Sequence, residues 1–141
     1  MKVLLSIKPE FADRIFSGEK TFEFRKSVYK DRSVKTVVVY ATQPVGRLVG
    51  EFDVADIMSD TPEKLWETTR KGAGISQQLF ESYFNGRDCA FALKIENVIQ
   101  YPEPVMPHEI IDNFVPPQSY MYVDDAGRRR SAHENETLQL L

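Results

Sequence analysis

Gly18-Glu19-Lys20-Thr21-Phe22-Glu23-Phe24-Arg25-Lys26 is the point at which the chain changes period. Upstream of it, Phe11, Ala12, Ile15 and Phe16 recur at helical spacing. Pro9 stands where a first helical turn tolerates proline, and Gly18 where a left-handed residue ends a helix. From Thr21 to Arg25 the alternation is strict, so Phe22 and Phe24 take one side of a strand and Thr21, Glu23 and Arg25 the other. One face is expected in the core and the other presents chemistry. Glu23 and Arg25 are same-face neighbours, and Lys20 at the strand entrance can swing beside them. By pattern alone these charges read either as a ligand-holding cluster or as an exposed salt-bridge ladder, worth under about 1 kcal/mol per pair.

Working outward, Lys2 to Ile7 is a short apolar strand, and Thr36 to Ala41 is a β-branched run suited to a strand buried on both faces. Gln43-Pro44-Val45-Gly46 reads as the turn into a strand from Arg47 to Ile57. Thr61 before Pro62 is a helix start that carries Leu65 and Trp66 inward. A further helix from Ser76 is expected to bury Leu79, Phe80, Tyr83 and Phe84 and to stop at Gly86. Cys89 to Val98 returns to a strand with Phe91, Leu93 and Ile95 on one face, and Cys89 reads as a small buried hydrophobe. After Tyr101, prolines at 102, 104, 107, 116 and 117 are expected to forbid long elements, leaving a short helix within Met106 to Asp112 and a last strand ending at Val123. From Asp124 the segment DDAGRRRSAHENETLQLL is polar and lacks a core-forming period, so residues 124–141 are expected to form a poorly ordered tail. Residues 1–123 then form one α+β domain with a mainly antiparallel sheet.

Composition narrows the function classes. A single cysteine and two histidines, His108 and His133, fit no usual zinc spacing, and no glycine-rich phosphate loop is present, so neither a metal nor a nucleotide cofactor is expected. The opening MKVLLSIKPE has only five apolar or small residues before Lys8, too few for a signal core or a bilayer span, which points to a cytoplasmic protein with no membrane partner. The net charge of −3 argues against coating nucleic acid by bulk attraction. Yet residues 1–36 carry a balance of +4 and the remainder −7, which is either a local basic site on an acidic body or chance clustering.

The segment LLSIKPEFADRIFSGEKTFEFRK closely resembles the G-x-K-x-x-E-x-R signature of the ASCH domain family. VVVYATQPVGRLVGEFDV, GISQQLFESYFNG with CAFALKI, and PPQSYMYV resemble the segments that follow in that family, so the likeness spans about residues 1–123. The resemblance implies a PUA-like β-barrel with flanking short helices and a groove for RNA or a modified nucleoside or nucleotide. Carried onto this chain, Lys8, Lys20, Thr21, Glu23, Arg25 and Lys26 match the charged and polar groove positions, where Lys and Arg would hold phosphates and Glu23 a base edge. Tyr40, Gln118, Ser119 and Tyr120 match neighbouring segments and offer stacking faces and hydrogen-bonding groups, with core packing the competing role for both tyrosines. Glu51 points either into the groove or into water. Small ASCH proteins also include amidohydrolases acting on acetylated cytidine and a ribonuclease, so Lys20 as base or nucleophile, with Glu23, forms the catalytic alternative. The amidohydrolases place a threonine nucleophile where this chain has Glu23; no carboxylate lies near Thr69 and Lys71 to match theirs, and Glu67 beside Trp66 is the nearest acidic candidate. Larger ASCH proteins imply a third role, a protein-interaction adaptor in transcription regulation, for which the proline-rich stretch and the RRR of the tail would be the surfaces.

Overall fold

A computed structural model describes residues 1–125. Six strands form one sheet with the order β2-β5-β4-β3-β1-β6, in which every pairing except parallel β1 with β3 is antiparallel. They are β1 Lys2–Ile7, β2 Phe22–Arg25, β3 Thr36–Ala41, β4 Arg47–Asp60, β5 Ala90–Val105 and β6 Tyr120–Val123. Four short helices flank the sheet: α1 Pro9–Ser17, α2 Pro62–Thr69, α3 Gln77–Tyr83 and α4 Pro107–Ile110. The fold is α+β, as the sequence indicates. The sheet curls without closing by a backbone ladder. Its two ends meet instead through a side chain: Arg25 on β2 donates to the carbonyl of Ser6 on β1 at 3.2 Å and to that of Ser119, just before β6, at 2.8 Å.

Alternation builds the inside of this barrel-like sheet. Along β4, Leu48, Gly50, Phe52 and Val54 are buried while Arg47, Val49, Glu51 and Asp53 between them are half-buried. They meet Val3, Leu5, Val37, Val39 and Leu93 in the main core. Gly50 is required there, because a Cβ would stand 2.4 Å from the Ile99 carbonyl oxygen of β5 and 2.5 Å from the Phe16 ring of α1. On the outer face of β2 and β5 a second core gathers Phe24, Leu65, Phe80, Phe84, Ala90 and Ala92. Phe24 meets Phe80 edge-on at 5.0 Å between ring centres, the geometry aromatic quadrupoles favour. The helices start where their caps dictate: the Thr61 hydroxyl accepts from the Lys64 amide, and the Ser76 hydroxyl from the Leu79 amide.

Three expectations are corrected. β5 runs through Val105, across Pro102 and Pro104. Between Gly50↔Gln100 and Leu48↔Val105 it has five steps against two on β4, so the prolines sit in a bulge where no ladder N–H is asked of them. Cys89 is exposed, one residue before β5, with its sulfur 3.4 Å from the Ser59 hydroxyl. Leu79 and Tyr83 are exposed as well, and only Phe80 of α3 and Phe84 at its C-cap enter the core. The tail expected from Asp124 lies, from residue 126 onward, outside the described residues. Among the described residues no helix is long and apolar enough to cross a membrane.

Candidate functional site

A cleft of about 260 Å³ opens at the seam that Arg25 bridges. Six segments supply its walls. The end of β1 gives Ser6 and Ile7, the start of α1 gives Lys8 and Phe11, and the turn into β2 gives Lys20. β2 itself gives Glu23, Phe24 and Arg25, α3 and the residues before it give Ile75, Leu79 and Tyr83, and the approach to β6 gives Gln118. Apolar rings and aliphatic chains thus surround three cations and one carboxylate.

The charges on its floor are desolvated. Glu23 and Arg25 lie 3.3 Å apart with side chains only 8% and 13% exposed, so they form no surface ladder. Arg25 is gripped by Glu23 and by the carbonyls of Ser6 and Ser119, which fixes its plane. Lys20 is 3% exposed. Its ammonium donates to the Ala73 carbonyl at 3.0 Å and stands 4.6 Å from the Phe24 ring centre and 5.7 Å from that of Phe11. Burial pushes its pKa below the usual lysine value; the Glu23 charge opposes that shift and the Arg14 charge adds to it.

A glycine-rich loop makes this burial possible. Thr21 binds the Gly72 carbonyl through its amide at 2.8 Å and its hydroxyl at 3.2 Å. Arg14 donates to the Gly74 carbonyl at 2.9 Å. Residues 72–74 are thereby drawn over Lys20, and Gly74, at φ +65°, leaves only 2.4 Å between a hypothetical Cβ and the Lys20 Cβ.

Of the residues picked from sequence, Lys8, Lys20, Glu23, Arg25 and Gln118 line the cleft. Ser119 borders it through the carbonyl that Arg25 binds. Thr21 serves the loop rather than the cleft wall, and Lys26 stands beside the wall, its ammonium 4.7 Å from the Tyr83 ring centre. Tyr40 is in the core against Phe114, and Tyr120 is packed edge-on against Tyr29 and Tyr122. Glu51 lies at a different cavity, where it accepts from Lys2 at 3.0 Å and from the Tyr101 hydroxyl at 2.6 Å. Thr69 is buried, with its hydroxyl on the Leu65 carbonyl, and Glu67 faces a separate groove beside Trp66, so neither converges on Lys20. Phe11, Leu79 and Tyr83 were missed because their spacing reads as core. The available signal was α3 itself: Leu79/Tyr83 and Phe80/Phe84 are two adjacent i, i+4 pairs, and a one-sided helix buries only one of them. Among the described residues no group of three or more His, Cys, Asp or Glu is placed to hold a metal ion.

The family model of the ASCH domain matches residues 5–99. The chain is 31% identical over 128 residues to the ASCH domain-containing ribonuclease of Zymomonas mobilis, covering 86% of this chain and 84% of the relative. It is 29% identical over 103 residues to large ribosomal subunit protein uL22 of Ureaplasma parvum, where the match takes in 72% of this chain and 33% of that protein. The crystal structure of ASCH from Zymomonas mobilis superposes with a TM-score of 0.82 at 31% identity, covering 89% of this chain and 90% of that one.

Proposed function

This chain belongs to the ASCH domain family, and from that membership and the cleft together we propose that it binds single-stranded RNA at the β1–β2 seam and cleaves it there. The observation that carries the reading is the desolvated Lys20, Glu23 and Arg25 at the floor of an otherwise apolar-walled cleft. Its size and its Phe11, Leu79 and Tyr83 surfaces suit a splayed-out base, which single-stranded RNA can present and a duplex cannot. Glu23 accepts from a base edge or ribose hydroxyl, and exposed Lys8 at the rim meets a phosphate.

Cleavage is favoured by one specific feature: a lysine whose proton is loosened by burial sits near a carboxylate already taken from water. In the scheme, Glu23 takes the proton of a ribose 2′-hydroxyl and the 2′-oxygen attacks the adjacent phosphorus. The phosphorus–5′-oxygen bond breaks, Lys20 protonates the departing oxygen, and Arg25 faces the charge on the phosphoryl oxygens. The products are a 2′,3′-cyclic phosphate and a 5′-hydroxyl. The relative's name as a ribonuclease supports this chemistry.

The test mixes the protein with single-stranded RNA and with DNA of the same sequence, following affinity and products for the native chain, Glu23→Gln and Lys20→Met. Both substitutions nearly preserve volume. Native protein is expected to cut RNA only, and loss of proton transfer should slow each folded variant by about 100-fold or more. Undiminished cleavage by both variants would remove the catalytic roles, and absence of RNA binding by the native chain would remove the reading itself.

A further inference from the structure

A second concavity of about 430 Å³ lies at the same end of the sheet, lined by Arg32, Lys35, Asp56, Ile57, Ser59 and Phe91. It and the cleft are neighbours by register. Phe91 stands directly opposite Arg25 on β2 and opposite Ser59 on β4, so it lies about 5 Å from each strand axis. Phe91 is half-buried, with a ring surface left to the concavity.

The segment between β2 and β3, residues 26–35, joins these places. It carries Lys26, Lys30, Arg32 and Lys35 against Asp31 alone and supplies much of the positive balance in the first 36 residues. It is pinned from within. Tyr29 and Val34 are buried, the Tyr29 hydroxyl donates to the Val34 carbonyl at 3.0 Å, and the Asp31 amide donates to the Tyr122 hydroxyl at 2.8 Å. At its far end the Val54 amide donates to the Lys35 carbonyl at 2.7 Å. With the backbone held, the four cationic side chains remain exposed, and among the described residues none of them meets a carboxylate within ion-pair distance. Asp31 is occupied by the Ser33 amide and hydroxyl, and Asp56, the acid of the concavity, caps the Ile57 amide beside it. Lys26 touches the cleft wall at Tyr83, and Arg32 and Lys35 line the concavity.

We propose that this pinned basic segment is a track for the RNA strand leaving the cleft, with phosphates on Lys26, Arg32 and Lys35 and a base on Phe91. The inference rests on RNA entering the cleft and adds the direction the strand takes. It gives the protein a preference for oligomers over short fragments, since only a longer strand reaches both places.

Anisotropy titrations of a labelled single-stranded trinucleotide and dodecanucleotide, both with 2′-fluoro riboses that the cleavage scheme cannot attack, over a range of KCl test it, using the native chain, Arg32→Ser/Lys35→Ser and Lys20→Met. Both track residues are exposed, so their loss spares the fold. The track predicts that the native protein binds the dodecamer more tightly. It also predicts that the double variant flattens the log–log salt slope for the dodecamer by about 1.4, at about 0.7 per lost phosphate contact, with trinucleotide binding unchanged. A dodecamer slope and affinity unchanged in the double variant would overturn the track while leaving the cleft intact. Loss of the dodecamer in the double variant, with Lys20→Met harmless to both RNAs, would keep the track and overturn the cleft. Failure of the native chain to bind either RNA overturns both.

Discussion

A lysine buried between two phenylalanine rings must shed its proton or keep a carboxylate close, and Lys20 keeps Glu23 in its field. Since its folded pKa lies below the usual 10.5, the unfolded chain holds more protons in that interval, and the stability tied to Lys20 rises with pH through it. Tyr29 does the reverse. Burial, the leading cause, raises its phenol from 10.0 to about 12. Its contribution is therefore complete below pH 10 and lost as pH climbs towards 12, roughly 3 kcal/mol for two units. Denaturant midpoints followed from neutral to alkaline pH should show Tyr29→Phe weaker at neutrality by about 1 kcal/mol, for the missing bond to Val34, but less sensitive above pH 10. An alkaline loss as steep in Tyr29→Phe as in the native chain would show that this phenol does not govern it. Period-two spacing paired Glu23 with Arg25, Lys20 joined them from its place at the strand entrance, and the ASCH signature marked the three as a set. Their burial was not legible, because the residues that cover Lys20, Ala73 and Gly74, lie more than fifty positions further along.

At the scale of elements, β2 and the loop that folds over its entrance act as one unit. Thr21 ties them, Gly72 supplies the acceptor, and Gly74 supplies a left-handed turn with no room for a side chain. Gly86 has a similar φ of +80° but open space around it, which makes it a control for backbone strain alone. Gly86→Ala should cost about 1 to 2 kcal/mol, whereas Gly74→Ala adds the clash with Lys20 and should cost at least about 1 kcal/mol more and weaken RNA binding. Equal costs in thermal or urea unfolding, with binding intact in both, would mean that the loop does not position Lys20. Strand β2 was readable because its charges alternate with phenylalanines at period two, although Glu23 and Arg25 turn out to be desolvated rather than facing water. β5 was not, since a proline ordinarily ends a central strand and only the bulge against β4 lets Pro102 and Pro104 stay. Helix α3 misled in the opposite sense: Leu79 and Tyr83 have core chemistry, yet they wall a cleft.

Across the whole molecule, an acidic body carries one cluster of its cations where the sheet fails to close. Arg25 spans the open seam and lines the cleft, and the basic segment 26–35 meets the cleft wall at Lys26 and the second concavity at Arg32 and Lys35. Such a site is hard to see in one dimension, because Ser6, Lys20, Arg25, Ile75, Tyr83 and Gln118 come from segments that meet only once the sheet has curled. Backbone amide shifts of isotope-labelled protein titrated with a single-stranded RNA whose 2′-fluoro riboses cannot be cleaved report directly on where the strand sits. If RNA occupies the cleft, the largest changes fall on residues 6–8, 20–25, 75–83 and 118–119, and they grow less at equal RNA concentration as salt is raised. If the changes are absent, or gather instead around Trp66 and Glu81 in the groove between α2 and α3, RNA does not bind at the seam and the function assigned to it is wrong.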